Sequence, residues 1–444
     1  MATMVTTCSW RVWCVPCKSR VGSSVAFSTD SLIHPDEARA RIFHHVARLP
    51  SERVALRAAA WRVLADDLMA EENHPPFPAA TMDGYAVIAD DPSPWREIVG
   101  RQTAGSVEEI DLDLGTAAWI TTGAHVPRGA NAVVPVEVTS LADEHVVIHQ
   151  ERIDPGANIR PIGIDLMRGS LVLRSGSMIG PAEIGLLAGL GIDPVMVVQR
   201  PRVSVLSTGD ELVEPTETPG PGQIRDSNRF SLLAALQESG ADVIWDGHGP
   251  DDAMALRRAL LERIAESDVV ITSGGVSMGD LDLIKPLLAE IAEVHFRRVL
   301  MKPGKPFNFA TVADTLIFSL PGNPVSALVG FEVFLRPALR QMQGFREIDR
   351  PRVHVLVDHE VRPSDRIEFQ RAIVRADGVG ALTATTTGAQ ASSRLASLVG
   401  SNALIVVPAG TEPLPSGSRL DALLVGPLRG ADHPRSPEVP RNAQ

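Results

Sequence analysis

The sequence predicts a multi-domain protein in which a doubly wound α/β domain is combined with small β domains. Apolar strand-like runs alternate with amphipathic helix-like runs from about residue 201 to 345, which is typical of a mostly parallel sheet. Short alternating runs between glycines fill residues 71–162 and 347–428, which indicates β domains. At 444 residues the chain is long enough for several domains, each with its own core.

In chain order, the first helical pattern runs from about Pro35 to Met69, with "SERVALRAAAWRVLADDL" predicted as a second helix. The prolines of "NHPPFPAATMDGYAV" end this pattern. The polar, proline-containing end of the chain is predicted to be disordered. The predicted division is an extension at 1–30, a discontinuous helical and mixed domain at 31–70 and 163–199, a small β domain at 71–162, the α/β domain at 200–346, a C-terminal β domain at 347–428 and a disordered tail at 429–444.

The α/β domain has the clearest alternation of elements. Its predicted strands are "RVSVLSTG", "ADVIWDGHG", "DVVITSGG", "EVHFRRVLM" and "TLIFSLPG". Its predicted helices are "SNRFSLLAALQESG", "DDAMALRRALLERIAES", "DLDLIKPLLAEIA" and "NPVSALVGFEVFLRPAL". Asp226 and Ser227 are typical N-cap residues, and Leu256, Leu260 and Ile264 lie on one helical face.

Composition argues against two classes of partner. The formal net charge is −12 and aromatic residues make up 4% of the chain. A general nucleic-acid surface needs basic stripes and stacking rings, so we expect no nucleic-acid partner. No apolar run approaches the roughly 18 to 20 residues that span a bilayer, so we expect no membrane partner. An anionic ligand must be held by local geometry, because the overall field opposes it.

The cysteines Cys8, Cys14 and Cys17 lie together in "CSWRVWCVPCKSR". A single Cys-x-x-Cys pair is compatible with a redox or zinc role, but no second pair at zinc spacing accompanies it. The alternatives are a disordered extension or a start codon assigned too early, and the segment lacks the continuous apolar core of a signal peptide. No cysteine follows Cys17, which argues against a disulfide scaffold and favours the cytoplasm.

Loops predicted at the carboxyl ends of the strands carry the polar residues of the α/β domain. They are "STGDEL", "GHGPDD", "TSGGVSMGDLD", "MKPGKPF" and "SLPGNPVSAL". Ligands of an open α/β sheet bind at this edge. A glycine loop can point several N–H groups at a phosphate. Packing alone explains any single glycine-rich turn, but the gathering of all these loops at one edge favours a binding site.

Acidic and basic side chains are interleaved at the same edge: Glu211, Asp251, Asp280, Asp282, Lys302 and Lys305. Carboxylates repel a neighbouring phosphate unless a cation lies between them. Mg²⁺ takes one or two carboxylates together with substrate phosphates, so the residues predict a magnesium-assisted phosphate site. The chain has no Walker lysine pattern and no G-x-G-x-x-G, so an ordinary ATP or NAD site is poorly supported.

A series of blocks across roughly residues 31–428 resembles one known family. The blocks are "FPAATMDGYAV", "TTGAHVPRGANAVV", "NIRPIGIDLMRG", "VLSTGDELV", "IRDSN", "VITSGGVSMGD", "MKPGKPF" and "LPGNPVSALV". In this order they are similar to the signature blocks of molybdopterin molybdenumtransferases, the MoeA/gephyrin E-domain family. The resemblance implies an elongated four-domain homodimer. It also implies that adenylylated molybdopterin is cleaved with a divalent cation and that molybdate is inserted at the dithiolene. Molybdenum and pterin follow from the resemblance alone.

The resemblance, together with the glycine loops, nominates site residues. The catalytic positions are Asp83, Thr122, Asp165, Glu211, Asp251, Asp282, Arg298, Lys302 and Lys305. The metal ligands among them are Glu211, Asp251 and Asp282, for Mg²⁺. The cofactor-binding positions are Thr208, Gly209, Ser273, Gly274, Gly275, Ser277, Gly279, Pro321, Gly322, Asn323, Pro324, Ser326, Arg371 and Ser392. Asp83 and Thr122 are far in sequence from the α/β loops, so we expect each cleft of the homodimer to use both chains. Molybdopterin adenylyltransferase and molybdoenzymes are the candidate partner proteins.

The chain departs from the family pattern at a few positions. Ala79-Ala80 replaces a usual Asn-Ser, Asn131 a usual Asp, Ile164 a usual Glu, and Arg298 stands where lysine is common. Two other functions therefore stay open: a molybdopterin adenylyltransferase-like activity and a non-catalytic molybdopterin-binding scaffold. The carboxylates favour the insertion reaction, since a pure binding module does not need them around an anion. The sequence does not distinguish molybdate from tungstate.

Overall fold

The first described elements attach to the α/β core. The computed structural model describes residues 31–105, 108–250, 252–275, 283–377 and 379–430. Strand β1 (Leu32–Ile33) precedes helix α1 (Pro35–His45), whose first turn is acidic, as the sequence predicts. Ala38 and Ile42 of α1 are buried among residues of the α/β sheet. The sequence groups residues 31–70 with 163–199, whereas β1 and α1 pack with the α/β unit.

The segment "SERVALRAAAWRVLADDL" is not the predicted helix. It contains β2 (Ser51–Val54), a 3₁₀ turn at Leu56–Ala58 and the start of β3 (Leu68–Met69). Both strands pair with residues more than 100 positions further along the chain. The helix prediction is wrong because this long-range pairing overrides the propensity of an alanine- and leucine-rich run.

A small β unit follows, as predicted. Its strands are β4 (Ala79–Ala80), β5 (Gly84–Val87), β6 (Trp95–Gln102), β7 (Thr116–Ile120), β8 (Ala132–Pro135), β9 (Thr139–Ala142), β10 (His145–Ile148) and β11 (Ile159–Arg160). Six of them form one sheet in the order β8-β5-β7-β6-β10-β9, and β4 pairs with β11. Apolar side chains alternate between two buried clusters, with Ala86 and Ile120 in one and Tyr85 and Val134 in the other.

The chain then returns to the first segment. Strand β12 (Leu171–Leu173) pairs with β3, and β13 (Val195–Val198) pairs with β2. Helix α2 (Pro181–Gly189) contributes Leu187 to the core of this unit. The pairings join two distant segments, as a discontinuous domain requires, while the domain boundaries themselves stay a prediction.

The α/β unit contains the elements β14 (Arg202–Ser207), β15 (Leu212–Val213), β16 (Ile224–Arg225), α3 (Ser227–Glu238), β17 (Asp242–His248), α4 (Ala253–Glu266), β18 (Val269–Ser273), α5 (Ile284–Ile291), β19 (Glu293–Val299), β20 (Met301–Lys302), β21 (Pro306–Val312), β22 (Thr315–Leu320), α6 (Pro324–Gly330) and α7 (Arg336–Met342). The main sheet has the order β1-β19-β21-β22-β18-β14-β17. Strand β21 is antiparallel to both neighbours, and all other pairings are parallel. Strands β14, β17, β18, β19 and β22 therefore end at one edge, as predicted.

The helices of this unit begin and pack as their patterns indicate. Asp226 caps α3 by accepting a hydrogen bond from Arg229 N, and Asp252 caps α4 by accepting one from Ala255 N. Helix α4 buries Leu256, Leu260 and Ile264. The sheet edge and its loops thus rest on a packed core on both faces.

The C-terminal unit is a β sheet that is joined to the α/β unit. Its strands are β23 (Arg352–Val357), β24 (Ile367–Ala376), β25 (Leu382–Thr386), β26 (Ala403–Val407), β27 (Arg419–Leu424) and β28 (Arg429–Gly430). Strand β20 pairs with β24, and Leu398 and Val406 pack against the α/β core. The predicted tail begins too early, because β28 pairs with β24. The predicted extension at 1–30, with its cysteines, and residues 431–444 lie outside the described residues.

Within the described ranges, none of the helices combines the length and the apolar character that crossing a membrane requires.

Candidate active site

The glycine loops that follow β14, β18 and β22 lie against one another at the carboxyl edge. Gly274 and Gly275 have φ values of 90° and 62°, which glycine adopts at least cost. A Cβ atom on Gly274 would lie 2.4 Å from the carbonyl oxygen of Thr208, so only glycine fits this position. On the other side, a Cβ atom on Gly322 would lie 3.9 Å from Gly274 Cα. The predicted loop residues Thr208, Gly274, Gly275 and Gly322 are therefore brought together.

Glu211 lies beside the first of these loops. A Cβ atom on Gly209, whose φ is 142°, would meet Glu211 Oε2 at 2.5 Å, so the carboxylate lies over this glycine. Glu211 is exposed, and its backbone oxygen accepts a hydrogen bond from Ile224 N. Exposed carboxylate oxygens are the ligands that Mg²⁺ prefers, so Glu211 is chemically suited to the predicted metal role.

Several of the predicted site residues lie outside the described residues. They are the predicted metal ligands Asp251 and Asp282, the predicted cofactor-binding residues Ser277 and Gly279, and the nearby Asp280. Among the residues that the structure does describe, no three His, Cys, Asp or Glu side chains are grouped to hold a metal ion. The metal site therefore stays a prediction, with Glu211 as its described member.

The two predicted lysines differ in their surroundings. Lys302 Nζ donates to Glu368 Oε1 at 2.9 Å, which links the α/β unit to β24. Glu368 has a side chain that is 4% exposed, whereas that of Lys302 is 45% exposed. Burial would raise the pKa of Glu368, but hydrogen bonds from Ser364, Gln370 and Lys302 outweigh it and lower the pKa. The ammonium group of Lys305 makes no hydrogen bond or ion pair with any described residue, which leaves it available to an anion. The half-buried Arg298 lies on β19, opposite Pro306.

The loop after β22 is held by the C-terminal unit. Pro321, Gly322 and Asn323 lead into α6, whose Val325 N donates to Ser392 O at 3.2 Å. Ser326 is buried in the first turn of the same helix. The backbone of Ser392 therefore lies beside the first turn of α6, and its role in binding the cofactor stays a prediction.

Arg371 does not fit direct contact with a ligand. It is 0% exposed, and its guanidinium donates to Ser397 Oγ and to the carbonyl oxygens at positions 389 to 391. Burial lowers the pKa of Arg371 to about 10. The expected contact is therefore corrected to a structural role, in which Arg371 holds the loop that leads to Ser392.

The predicted residues outside the α/β unit form a separate group. Asp83 Oδ1 accepts hydrogen bonds from the backbone N and the hydroxyl of Thr122, which lower the pKa of Asp83. Asp165 is exposed, and its backbone N donates to His74 O. Within the described part of one chain, neither carboxylate makes a hydrogen bond or ion pair with the sheet-edge loops. The expectation that a second chain brings them to the cleft stays a prediction.

The departures from the family pattern have local consequences. Asn131 Oδ1 accepts a hydrogen bond from Ala89 N at 2.7 Å, so this side chain stabilises a turn. Ala79 and Ala80 are buried in β4, where a polar pair would need partners. Ile164 is exposed, so its apolar side chain has no packing explanation.

A group of buried oxygen atoms was not predicted from the sequence. Within the described residues, all buried side-chain oxygen atoms without a hydrogen-bond partner belong to this sheet edge or to the turn of α3 beneath it: Ser207 Oγ, Asn228 Oδ1, Thr272 Oγ1, Asn308 Oδ1 and Ser319 Oγ. Thr272, Ser319 and Asn308 are in register across β18, β22 and β21. Buried polar atoms normally bond to protein, water or ligand, so their concentration here is typical of a binding site. The sequence signal for Ser207, Thr272 and Ser319 is a polar residue in the last two positions of an apolar strand, whereas Asn228 and Asn308 have no such signal.

Comparisons with known proteins agree with this organisation. Three family models match successive parts of the chain: the MoeA N-terminal region (domain I and II) at residues 33–191, a probable molybdopterin binding domain at 204–341 and the MoeA C-terminal region (domain IV) at 358–425. Gephyrin of Dictyostelium discoideum is 37% identical over 92% of this chain, which spans 64% of that protein.

Two further relatives match over most of their own length. Molybdopterin molybdenumtransferase 2 of Mycobacterium tuberculosis is 39% identical over 83% of this chain and 93% of its own. The crystal structure of the molybdopterin biosynthesis MoeA protein of Pyrococcus horikoshii superposes with a TM-score of 0.75 at 28% identity, covering 89% of this chain and all of that one. The chain therefore belongs to the molybdopterin molybdenumtransferase family.

Proposed function

We propose that the protein inserts molybdate into adenylylated molybdopterin in a Mg²⁺-dependent reaction that releases AMP and yields molybdenum cofactor. The observation that carries the proposal is the close packing of the loops after β14, β18 and β22, with glycines at positive φ beside Glu211. Backbone without side chains gives a phosphate direct access to N–H groups. The Glu211 carboxylate beside these loops can bind a Mg²⁺ ion that also binds the phosphate.

Each described residue has a specific task in this proposal. The backbone N–H groups at Gly274, Gly275 and Gly322 bind phosphate oxygens, and glycine has no side chain that would keep the phosphate away from them. The ammonium groups of Lys302 and Lys305 neutralise the phosphate or the incoming molybdate. Ionised Asp83, with Thr122, orients the substrate from the β unit.

Glu211 would hold Mg²⁺, together with Asp251 and Asp282. When bound, the ion neutralises charge on the phosphate oxygens of the adenylyl group. Glu211 would contribute a carboxylate that lies over Gly209, beside the loop after β14.

We also propose that the working unit is a homodimer in the cytoplasm, with each cleft completed by the partner chain. Asp83 and Asp165 make no bond to the sheet edge of their own chain within the described residues, which supports a contribution in trans. A monomer by light scattering that still turns over substrate would exclude it. A molybdopterin adenylyltransferase that supplies substrate and molybdoenzymes that accept product are the proposed partner proteins.

The function is tested by incubating the purified chain with adenylylated molybdopterin, Mg²⁺ and molybdate, and separating the nucleotides by chromatography. AMP release that needs Mg²⁺, with molybdenum in the pterin product, is the expected result. In a parallel incubation with molybdopterin, ATP and Mg²⁺, formation of adenylylated molybdopterin would instead identify an adenylyltransferase. Tight pterin binding without nucleotide chemistry would identify a scaffold.

A further inference from the structure

Asn228 bonds to two of the glycine loops at once. It lies in the first turn of α3, and its Nδ2 donates to Ser273 Oγ at 3.1 Å and to Gly322 O at 2.8 Å. Ser273 ends β18, and Gly322 belongs to the loop after β22. Asn228 is 9% exposed and Ser273 is 2% exposed, so water competes little for these bonds. One buried amide therefore ties both loops to the same helix.

The first turn of α3 is itself anchored. Asp226 caps the helix through Arg229 N at 3.0 Å. The Arg229 guanidinium donates to Asp226, to Asp246 on β17 at 2.7 Å and to Glu214. These charge-assisted bonds fix the turn to the sheet, so the position of Asn228 is set independently of the loops.

Backbone bonds hold each loop near its ends, where Thr208 N donates to Ser273 O at 2.9 Å and Val325 N donates to Ser392 O at 3.2 Å. Gly274 N donates to Leu320 O at 3.2 Å, and the contact between Gly274 and Gly322 is between backbones. Glycine has the largest conformational freedom of any residue, so such loops need a restraint from outside. The two bonds of Asn228 provide it.

Stability alone does not explain an amide at this position. Asn228 Oδ1 is buried and has no hydrogen-bond partner among the described residues. A buried acceptor without a partner destabilises the folded state, whereas an apolar side chain would avoid that cost. The amide is therefore better explained by what its Nδ2 does for the loops.

We propose that Asn228 is a positioning residue, which holds the loops after β18 and β22 in the register that binds the phosphate-bearing end of the substrate. The substrate assignment rests on the proposed function, whereas the restraint on the loops does not. Asn228 touches loop atoms and acts through them.

The test compares Asn228→Ala and Asn228→Asp with Ser239→Ala. The aspartate has the size of the asparagine but cannot donate to Gly322 O. Ser239 is buried at the other end of α3, where its Oγ donates to Ala235 O at 2.8 Å, so its loss perturbs the helix without touching the loops. Hydrogen exchange of residues 273–275 and 322 is measured on the full chain without ligand, and KM and kcat are measured with adenylylated molybdopterin.

Both Asn228 variants should exchange about tenfold faster at both loops and raise KM about tenfold, with a smaller change in kcat. Ser239→Ala should leave both readouts as in the parent protein. Unchanged loop exchange, or faster exchange with an unchanged KM, would overturn the proposal. If the parent protein itself shows no turnover, the proposed function fails, and the exchange measurement alone decides whether Asn228 restrains the loops.

Discussion

Asp83 Oδ1 accepts two hydrogen bonds from Thr122, one from the backbone N at 2.7 Å and one from the hydroxyl at 2.8 Å. Both bonds lower the pKa of Asp83 below its usual range, and the bond from the backbone N has the larger effect. This pairing keeps an exposed carboxylate ionised at the surface of the β unit. It explains chemically why an acid and a hydroxyl residue are found together at these two positions.

Thr122→Val should raise the pKa of Asp83 towards its ordinary value, because the hydroxyl bond is lost while the backbone bond remains. A folded pKa below the unfolded one stabilises the protein at neutral pH, and this contribution is lost as pH falls through the folded pKa. In the variant, the contribution of Asp83 to the free energy of unfolding should therefore be lost at a higher pH than in the parent protein. NMR titration of the Asp83 carboxyl measures the change in its pKa. Thr139→Val is the matched control, since the Thr139 hydroxyl bonds to Val136 O instead. An Asp83 pKa that is the same in the parent protein and in Thr122→Val would refute the explanation.

Lys302 and Lys305 should separate anion binding from stability. Each Ala substitution should weaken molybdate binding by roughly 1.5 to 3 kcal/mol, the value of a charge-assisted hydrogen bond. Lys302→Ala should also lower the free energy of unfolding by about 1 kcal/mol, a modest loss because its side chain is half exposed, while Glu368 loses a donor. Lys305→Ala should leave stability within about 0.5 kcal/mol. Isothermal titration and urea unfolding measure the two quantities.

The control for Lys302 is the double variant Lys302→Ala with Glu368→Gln. It removes the buried carboxylate together with its partner, so stability should recover while anion binding should not. Unchanged molybdate affinity in both single variants would show that neither lysine faces the anion.

His295 should make the fold sensitive to acid. Burial lowers the pKa of His295 from 6.5 to about 4, with a smaller contribution from the neighbouring His45. The centroids of the two rings are 4.0 Å apart. Between these values the unfolded chain takes up a proton that the folded chain does not, so stability falls as pH falls, by about 3 kcal/mol in total. His295→Gln can still bond to Thr311 Oγ1 and should flatten the profile. An equally steep loss of stability in this variant, measured by denaturant unfolding from pH 7 to 4, would assign the effect to other groups.

Asp252 and its neighbour in sequence, Asp251, should respond to substitution in opposite ways. Asp252 Oδ1 accepts from Ala255 N at 2.8 Å, so Asp252→Ala should cost about 1 kcal/mol of stability and spare turnover. Asp251→Asn and Asp282→Asn should keep the melting temperature and abolish Mg²⁺-dependent AMP release. A variant at 251 or 282 that melts lower yet turns over normally across a Mg²⁺ titration would contradict its metal role.

The elements with their own periodicity were predictable from the sequence. Helices α3 and α4 each begin after a capping aspartate, α4 carries an apolar stripe, and β18 is an apolar run that ends in Thr272 and Ser273. Since parallel strands end at one edge, the convergence of the glycine loops followed from topology. The candidate site could be located for the same reason, although Asp251 and Asp282 lie outside the described residues.

Features that depend on distant partners were not predictable. Strands β2 and β3 form because they pair with β13 and β12, and no local pattern indicates this. Strand β21 (Pro306–Val312) is missing from the predicted strands, and its first two residues belong to the predicted loop "MKPGKPF", whose prolines and glycine are turn residues. The burial of Arg371 depends on carbonyl oxygens at 389 to 391, and the two bonds of Asn228 depend on loops 45 and 94 positions away.

The most direct test of the central claim is the ratio of molybdenum inserted to AMP released by the full chain acting on adenylylated molybdopterin. The account predicts one molybdenum retained in the pterin product for each AMP, with both signals lost when Mg²⁺ is chelated and both strongly reduced in Glu211→Gln. AMP release that continues unchanged without Mg²⁺, or binding of the substrate without any AMP, would contradict it.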